Sequence, residues 1–243
     1  MPNAIILGCS HAAGAEICHE PGLDIPVNEW ERFNATHSFA WLLAQDLGYE
    51  PRLHAISGGS NDAMFRIWER DRQTITANDI VIACWTGTTR REIFYEPENQ
   101  WLQITHNSID SSFLKKDPYL LEGAPVGLRI QDVELEKAHQ YLVLYDLSYE
   151  SGRLNKIKNI LALNTEAQHQ GITVINIDMF MPIINYNWPS WIYWPISQIN
   201  FLSWAKNNNE LHTDWGHYFS ATHRRFADYV LNQIQFDGKC RLI

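Results

Sequence analysis

Ala4-Ile5-Ile6-Leu7-Gly8-Cys9-Ser10-His11-Ala12-Ala13-Gly14 is the stretch on which the fold turns. The run from Ala4 to Leu7 is apolar without polar alternation, which predicts a strand covered on both faces, over Ala4–Cys9. Gly8 interrupts the run, so Ser10 falls on the turn where strand passes to helix. In an open parallel sheet that is the end where ligands bind, and N–H groups at a helix start face developing negative charge there. Taken alone, Ser10 reads as a helix cap, its hydroxyl accepting from the first turn.

Asp214-Trp215-Gly216-His217, near the other end of the chain, changes that balance. An attacking serine needs a base. An Asp three residues before a His places both on one short loop, where the carboxylate can hold the imidazole and aim it at the hydroxyl. Ser10, His217 and Asp214 are therefore the expected catalytic set of a serine hydrolase.

Outward from β-like Ala4–Cys9, apolar runs at Arg52–Ile56, Asp79–Trp85 and Thr173–Phe180 alternate with helical spacing over Thr36–Leu47, Asp62–Arg72, Leu154–Gln170 and Ser220–Gln235. This alternation predicts an α/β fold: three layers, α/β/α, around a mostly parallel sheet of five strands. Gly171, between a helical stretch and a strand, reads as a helix C-cap. The connection at about 92–152 is longer than the strand order requires and is expected to carry an insertion of helices and loops. With 243 residues and no linker rich in Pro, Gly or Ser, the chain reads as one domain over 1–243.

Composition removes several classes of function. A net charge of −9 without basic clusters argues against nucleic acid or an anionic membrane surface as partner. No apolar stretch is long enough to span a bilayer and no basic region precedes a hydrophobic leader, so a cytoplasmic location is expected. Cys9, Cys18, Cys84 and Cys240 lack CxxC spacing and read as free thiols in a reducing compartment. Cys9, His11, Cys18 and His19 fit no structural zinc spacing, so no metal site is expected. The chain has neither GxGxxG nor a GKS/T phosphate loop, which sets aside a flavodoxin-like nucleotide binder, and no cofactor is implied.

The blocks at Gly8, Ser10 and Gly14, at Ser57-Gly58-Gly59-Ser60-Asn61, and at Asp214 with His217, taken in that order, resemble the SGNH (GDSL-type) hydrolase superfamily. The first block has Cys9 where that pattern has Asp, and the last has Tyr218 where it has Pro. In the third block, where the pattern expects Gly-x-Asn-Asp, the chain has Trp85-Thr86-Gly87-Thr88-Thr89-Arg90. Asn78 precedes its strand and would lie at the wrong end of the sheet to replace that Asn. The resemblance implies a flavodoxin-like α/β/α fold and hydrolysis of an ester through an acyl-enzyme. It implies an oxyanion hole drawn from Gly58, Gly59 and Asn61, with His11, Arg90 and Trp215 lining the substrate pocket. The implied substrate is a small-molecule or glycan ester, such as a carbohydrate O-acetyl ester, a lipid or an aryl ester. Gly58-Gly59-Ser60-Asn61 also reads as a tight turn capping the next helix, and Arg90-Arg91-Glu92 as a charged helix start. Trp188, Trp191, Trp194 and Trp204 read as an aromatic-packed loop or a sugar-stacking platform. The Trp-Thr third block is also similar to SGNH-hydrolase-like proteins of tailed bacteriophages, which implies association with other virion proteins. Cys9 and the missing third-block Asn keep open a second reading, a non-catalytic structural or glycan-binding component of the same fold.

Overall fold

The residues from Ala4 to Leu7 and from Ile80 to Trp85 are all buried, and this unbroken apolar character makes both segments inner strands. A computed structural model describes residues 1–56, 58–95, 100–104, 149–180, 183, 186–196, 199–213 and 216–237. In chain order the elements are β1 (Asn3–Leu7), α1 (Trp30–His37), α2 (Phe39–Asp46), β2 (Glu50–Leu53), α3 (Asn61–Asp71) and β3 (Ile80–Trp85). They continue with β4 (Arg91–Tyr95), β5 (Gln100–Ile104), α4 (Tyr149–His169), β6 (Thr173–Asp178), α5 (Phe201–Asn207) and α6 (Ser220–Asp237). The main sheet has the order β2-β1-β3-β6. All its pairings are parallel, with Ala4 opposite Ile80 and Ile80 opposite Thr173.

Because side chains alternate across a strand, each strand feeds two cores. Ile6, Ile82, Cys84, Ile175 and Ile177 face α2, α5 and α6, where Phe39, Leu43, Phe201, Phe226 and Val230 close one layer. Ile5, Leu7, Val81, Ala83, Trp85 and Val174 face α3 and α4, meeting Met64, Trp68, Ile157, Ile160 and Leu163. Each buried Val, Leu, Ile, Met or Phe among these contributes about 1.5–3 kcal/mol. The protein is thus an α/β fold in three layers around a parallel sheet.

Several boundaries differ from the sequence expectation. The described residues form a sheet of four strands, where five were expected. β1 ends at Leu7, two residues early, because the Cys9 carbonyl already accepts from Ala13 N–H in a helix-like turn. The helix expected over Thr36–Leu47 is two helices. Ser38 between them is extended, and its hydroxyl accepts from Trp41 N–H, which starts a new helix. α4 starts at Tyr149, five residues before the apolar spacing announces it, since its first turn is polar. In the segment expected as an insertion of helices and loops, the described residues pair β4 with β5 antiparallel; residues 105–148 lie outside the described residues.

α4 lies close against the strand ends at the price of two polar contacts beneath it. Lys156 and Asp178, nearly inaccessible to solvent, form an ion pair at 2.7 Å. Asn164 and Asn176 exchange amide hydrogen bonds of 3.1 and 2.9 Å, and the Trp85 indole donates to Asn176 Oδ1 at 2.8 Å. Gly152, in the first turn of α4, passes so near the β3–β4 connection that a Cβ there would stand 1.9 Å from the Thr88 carbonyl oxygen. The tryptophan-rich segment packs: Trp188 lies 5.4 Å from Trp194, both against the α3/α4 core, and Trp204 is buried in the other, while Trp191 is exposed. Cys9, Cys18 and Cys84 are buried thiols, and Cys240 is outside the described residues. No helix among the described residues is long and apolar enough to cross a membrane.

Candidate active site

The site is built where β1 stops. Gly8 has no room for a side chain: a Cβ would stand 2.6 Å from Ala12 Cβ and 2.9 Å from Cys84 Cβ. Its carbonyl accepts from Ile56 N–H at 3.0 Å, and a Cβ on Gly59 would meet that same carbonyl at 3.0 Å. The two glycine-bearing blocks, far apart in sequence, therefore touch through their main chains. Beyond Gly8 the chain coils tightly, with Ala13 N–H to Cys9 O at 3.0 Å and Ala15 N–H to Ser10 O at 2.9 Å. Ser10 and His11 sit in this coil, each 5% exposed.

The His217 turn lies over the same strand end. His11 is packed among rings, 4.7 Å from His217, 5.3 Å from Phe180 and 5.5 Å from Phe201 between centroids. Burial first, then the neighbouring His217, Arg90 and His223, holds the His11 imidazole well below the ordinary histidine range, so it is neutral near neutral pH. Its Nδ1 has no hydrogen-bond partner among the described residues. His217 is carried by a turn in which Thr213 N–H donates to the His217 carbonyl at 2.7 Å and Gly216 N–H to the Thr213 carbonyl at 3.0 Å. Gly216 supplies the positive φ of 83° that this reversal needs.

Glu16 closes the arrangement. Its Oε2 stands 3.1 Å from His217 Nδ1, at ion-pair distance but off the line of the ring N–H, and accepts from Thr213 Oγ1 at 2.5 Å. Burial pushes the Glu16 carboxyl up, but the contacts with His217 and Thr213 outweigh it and hold the group below its usual range. One turn later, Glu20 Oε2 accepts from the N–H and hydroxyl of Ser220 at 3.1 and 2.6 Å, fastening the same segment to the start of α6.

The remaining expected residues divide. Gly58 is in the left-handed region, φ 71°, and no hydrogen bond occupies its N–H or that of Ser10 among the described residues. Gly59, expected as an oxyanion donor, turns its N–H to the Ile56 carbonyl at 2.8 Å, because the loop closes on itself there. Asn61 is spent likewise: Oδ1 accepts from Thr86 N–H at 2.9 Å, and Nδ2 lies 3.5 and 3.4 Å from the Thr86 and Gly87 carbonyls. Asn61 thus fastens the end of β3 to the start of α3, while Ser60, its neighbour, caps that helix through Ala63 N–H. Arg90 lies at the site, its Nη1 3.4 Å from the Gly59 carbonyl and its guanidinium 4.8 Å from the Phe180 ring centroid. It begins no helix, since β4 follows at Arg91. Asp214 and Trp215 are outside the described residues.

Glu16, Phe180 and His223 belong to this neighbourhood and were not among the site residues expected from sequence. Phe180 follows a strand end, which is a usable signal. Nothing in the local sequence marks Glu16, because a carboxylate in a turn is ordinary until the turn is seen against His217.

No protein-family model and no curated protein matches the chain. Among solved structures it is similar to the lipase Lip_vut3 from a goat rumen metagenome, at 13% identity over 100% of both chains with a TM-score of 0.48. It is similar to the psychrotrophic esterase EstA from Pseudoalteromonas sp., at 12% identity over 97% of this chain and 98% of that one, TM-score 0.47. The similarity to TesA is 14% identity over 99% of each chain, TM-score 0.46.

Proposed function

We propose that the chain is a serine esterase of the SGNH kind, forming one domain, that hydrolyses a small-molecule or glycan ester through an acyl-enzyme. The observation that carries this reading is the position of the His217 imidazole. It lies against His11, the residue next to Ser10, at the carboxyl end of β1, with a carboxylate at its Nδ1. In this reading Ser10 Oγ attacks the ester carbonyl and passes its proton to His217 Nε2. The N–H groups of Ser10 and Gly58, unoccupied among the described residues, receive the oxyanion. His217 returns the proton to the leaving alcohol, and water repeats the sequence on the acyl-enzyme. Arg90 and Phe180 form part of the pocket wall, with His11 beneath and Trp215 proposed beside them. The sequence puts forward Asp214 as the acid behind His217. No cofactor takes part in these steps. The location proposed is cytoplasmic.

One observation favours a second reading, a non-catalytic component of this fold such as a phage virion protein. The carboxamide of Asn61 is engaged by the main chain of Thr86 and Gly87, and no asparagine stands in the third block to complete an oxyanion hole. Turnover of p-nitrophenyl acetate by wild type, Ser10→Ala and His217→Ala separates the two, together with labelling by a fluorophosphonate. The esterase reading expects labelling at Ser10 alone and losses of about 10³-fold or more in both variants. Wild-type turnover no faster than that of Ser10→Ala would end it.

A further inference from the structure

We propose that Glu16 is the positioning residue for His217: the carboxylate that fixes the tautomer and orientation of the imidazole. This rests on the reading of Ser10 and His217 as nucleophile and base, and deepens it.

Three independent features of the Glu16 environment agree. Its Oε2 makes the 3.1 Å contact with His217 Nδ1, so the carboxylate engages that ring nitrogen and not Nε2. The same oxygen accepts from Thr213 Oγ1 at 2.5 Å, and His217 N–H lies 3.3 Å from that hydroxyl oxygen, so one turn carries both the imidazole and the group that steadies its acid. The main chain of Glu16 is left-handed, φ 69° and ψ 3°. A side chain there costs free energy that glycine would avoid, and such outliers persist where the surroundings hold them and where function uses them. Here the surroundings are identifiable. Ile17, fully buried, anchors the next position, and Glu20 ties the following turn to Ser220.

The electrostatics point the same way. His11, its ring centroid 4.7 Å from that of His217, is kept neutral by its burial, so it does not compete as a cation for the Glu16 carboxylate. A carboxylate at Nδ1 favours the tautomer with the proton on Nδ1 and the lone pair on Nε2. It also stabilises the imidazolium that forms as the serine proton is taken up. A carboxamide in its place can present its NH₂ group to Nδ1 and favour the opposite tautomer.

The test compares Glu16→Gln, Glu16→Asp and Asp214→Asn with wild type. Two quantities are read: kcat and KM on p-nitrophenyl acetate across pH, and the tautomer of His217 from long-range ¹H–¹⁵N spectra of the free protein. Glu16→Gln is expected to lower kcat by roughly 10²–10⁴-fold with KM little changed, and to move His217 away from the Nδ1–H tautomer. Glu16→Asp, which restores the charge, is expected to recover part of the loss and the original tautomer. Asp214→Asn is expected to leave the tautomer as in wild type. The proposal is overturned if Glu16→Gln leaves both kcat and tautomer unchanged, or if Asp214→Asn and not Glu16→Gln shifts the tautomer. Should wild type show no Ser10-dependent turnover, the esterase reading fails, while the spectra still decide whether Glu16 holds His217.

Discussion

Acid should loosen the protein through His223 before its carboxylates are protonated. His223 is 1% exposed, in the first turn of α6, and its Nδ1 accepts from Phe39 N–H at 3.1 Å. It thereby satisfies an N–H of the first turn of α2 that no helical carbonyl can reach. Burial, then the neighbouring His217, lowers its pKa from 6.5 to about 3, against a smaller opposing contribution from the Tyr218 main chain. A proton on Nδ1 would face the Phe39 N–H donor to donor. Unfolded, the side chain titrates near 6.5; folded, near 3; so between those values the unfolded state binds the extra proton. The contribution is fully present above about pH 6.5 and is lost progressively as pH falls toward about 3. At about pH 4.5, two units below the unfolded value at 1.36 kcal/mol each, the loss is about 3 kcal/mol. Urea unfolding followed by tryptophan fluorescence at neutral and at acid pH, at one ionic strength, measures it. His11, buried and lowered in the same sense, adds to the total, so the decisive comparison is with His223→Asn, which keeps an acceptor without a titrating ring. That variant should lose about 3 kcal/mol less than wild type over the same interval. An equal loss in both proteins would refute the argument.

Two further outcomes follow from contacts under α4. Gly152→Ala places a Cβ 1.9 Å from the Thr88 carbonyl oxygen, so it should destabilise by about 1–3 kcal/mol despite the better helix propensity of alanine, as chemical denaturation would show. Lys156→Ala leaves Asp178 buried without its cation and should cost about 3–5 kcal/mol at neutral pH, whereas replacing Lys156 and Asp178 together with Met and Asn should recover most of that in the same denaturation assay.

The layers were legible because strand and helix announce themselves by apolar spacing. Ile80–Trp85 lacks polar alternation, and both of its faces are covered. Ser38 was not legible as a break, since Phe39 continues the apolar period and only the extended backbone at Ser38 separates the helices. At the site, Gly8, Ser10 and His217 could be read from residue type and spacing. The engagement of Gly59 and Asn61 could not, because a glycine N–H or an asparagine amide looks the same in sequence whether it is free for an oxyanion or bound to Ile56 or Thr86. Glu16 was hidden for a different reason: its partner lies on a turn near the other end of the chain, and no local rule couples them.

The parallel order β2-β1-β3-β6 has a consequence for how the protein comes to exist. No two neighbouring strands of this sheet are joined by a hairpin. Ala4 must wait for Pro51 and then Ile80, and Ile80 for Thr173, so each pairing closes a long loop before its sheet contact repays the entropy. As the chain leaves the ribosome, β1 emerges first yet has no completed sheet to join until β6 has been made. His217 and α6 emerge later still, and with them the Phe39 N–H and the Glu16 carboxylate find their partners. The candidate site is therefore among the last features to assemble, and a nascent chain short of His217 has the β1 end and Glu16 without the imidazole that packs between them.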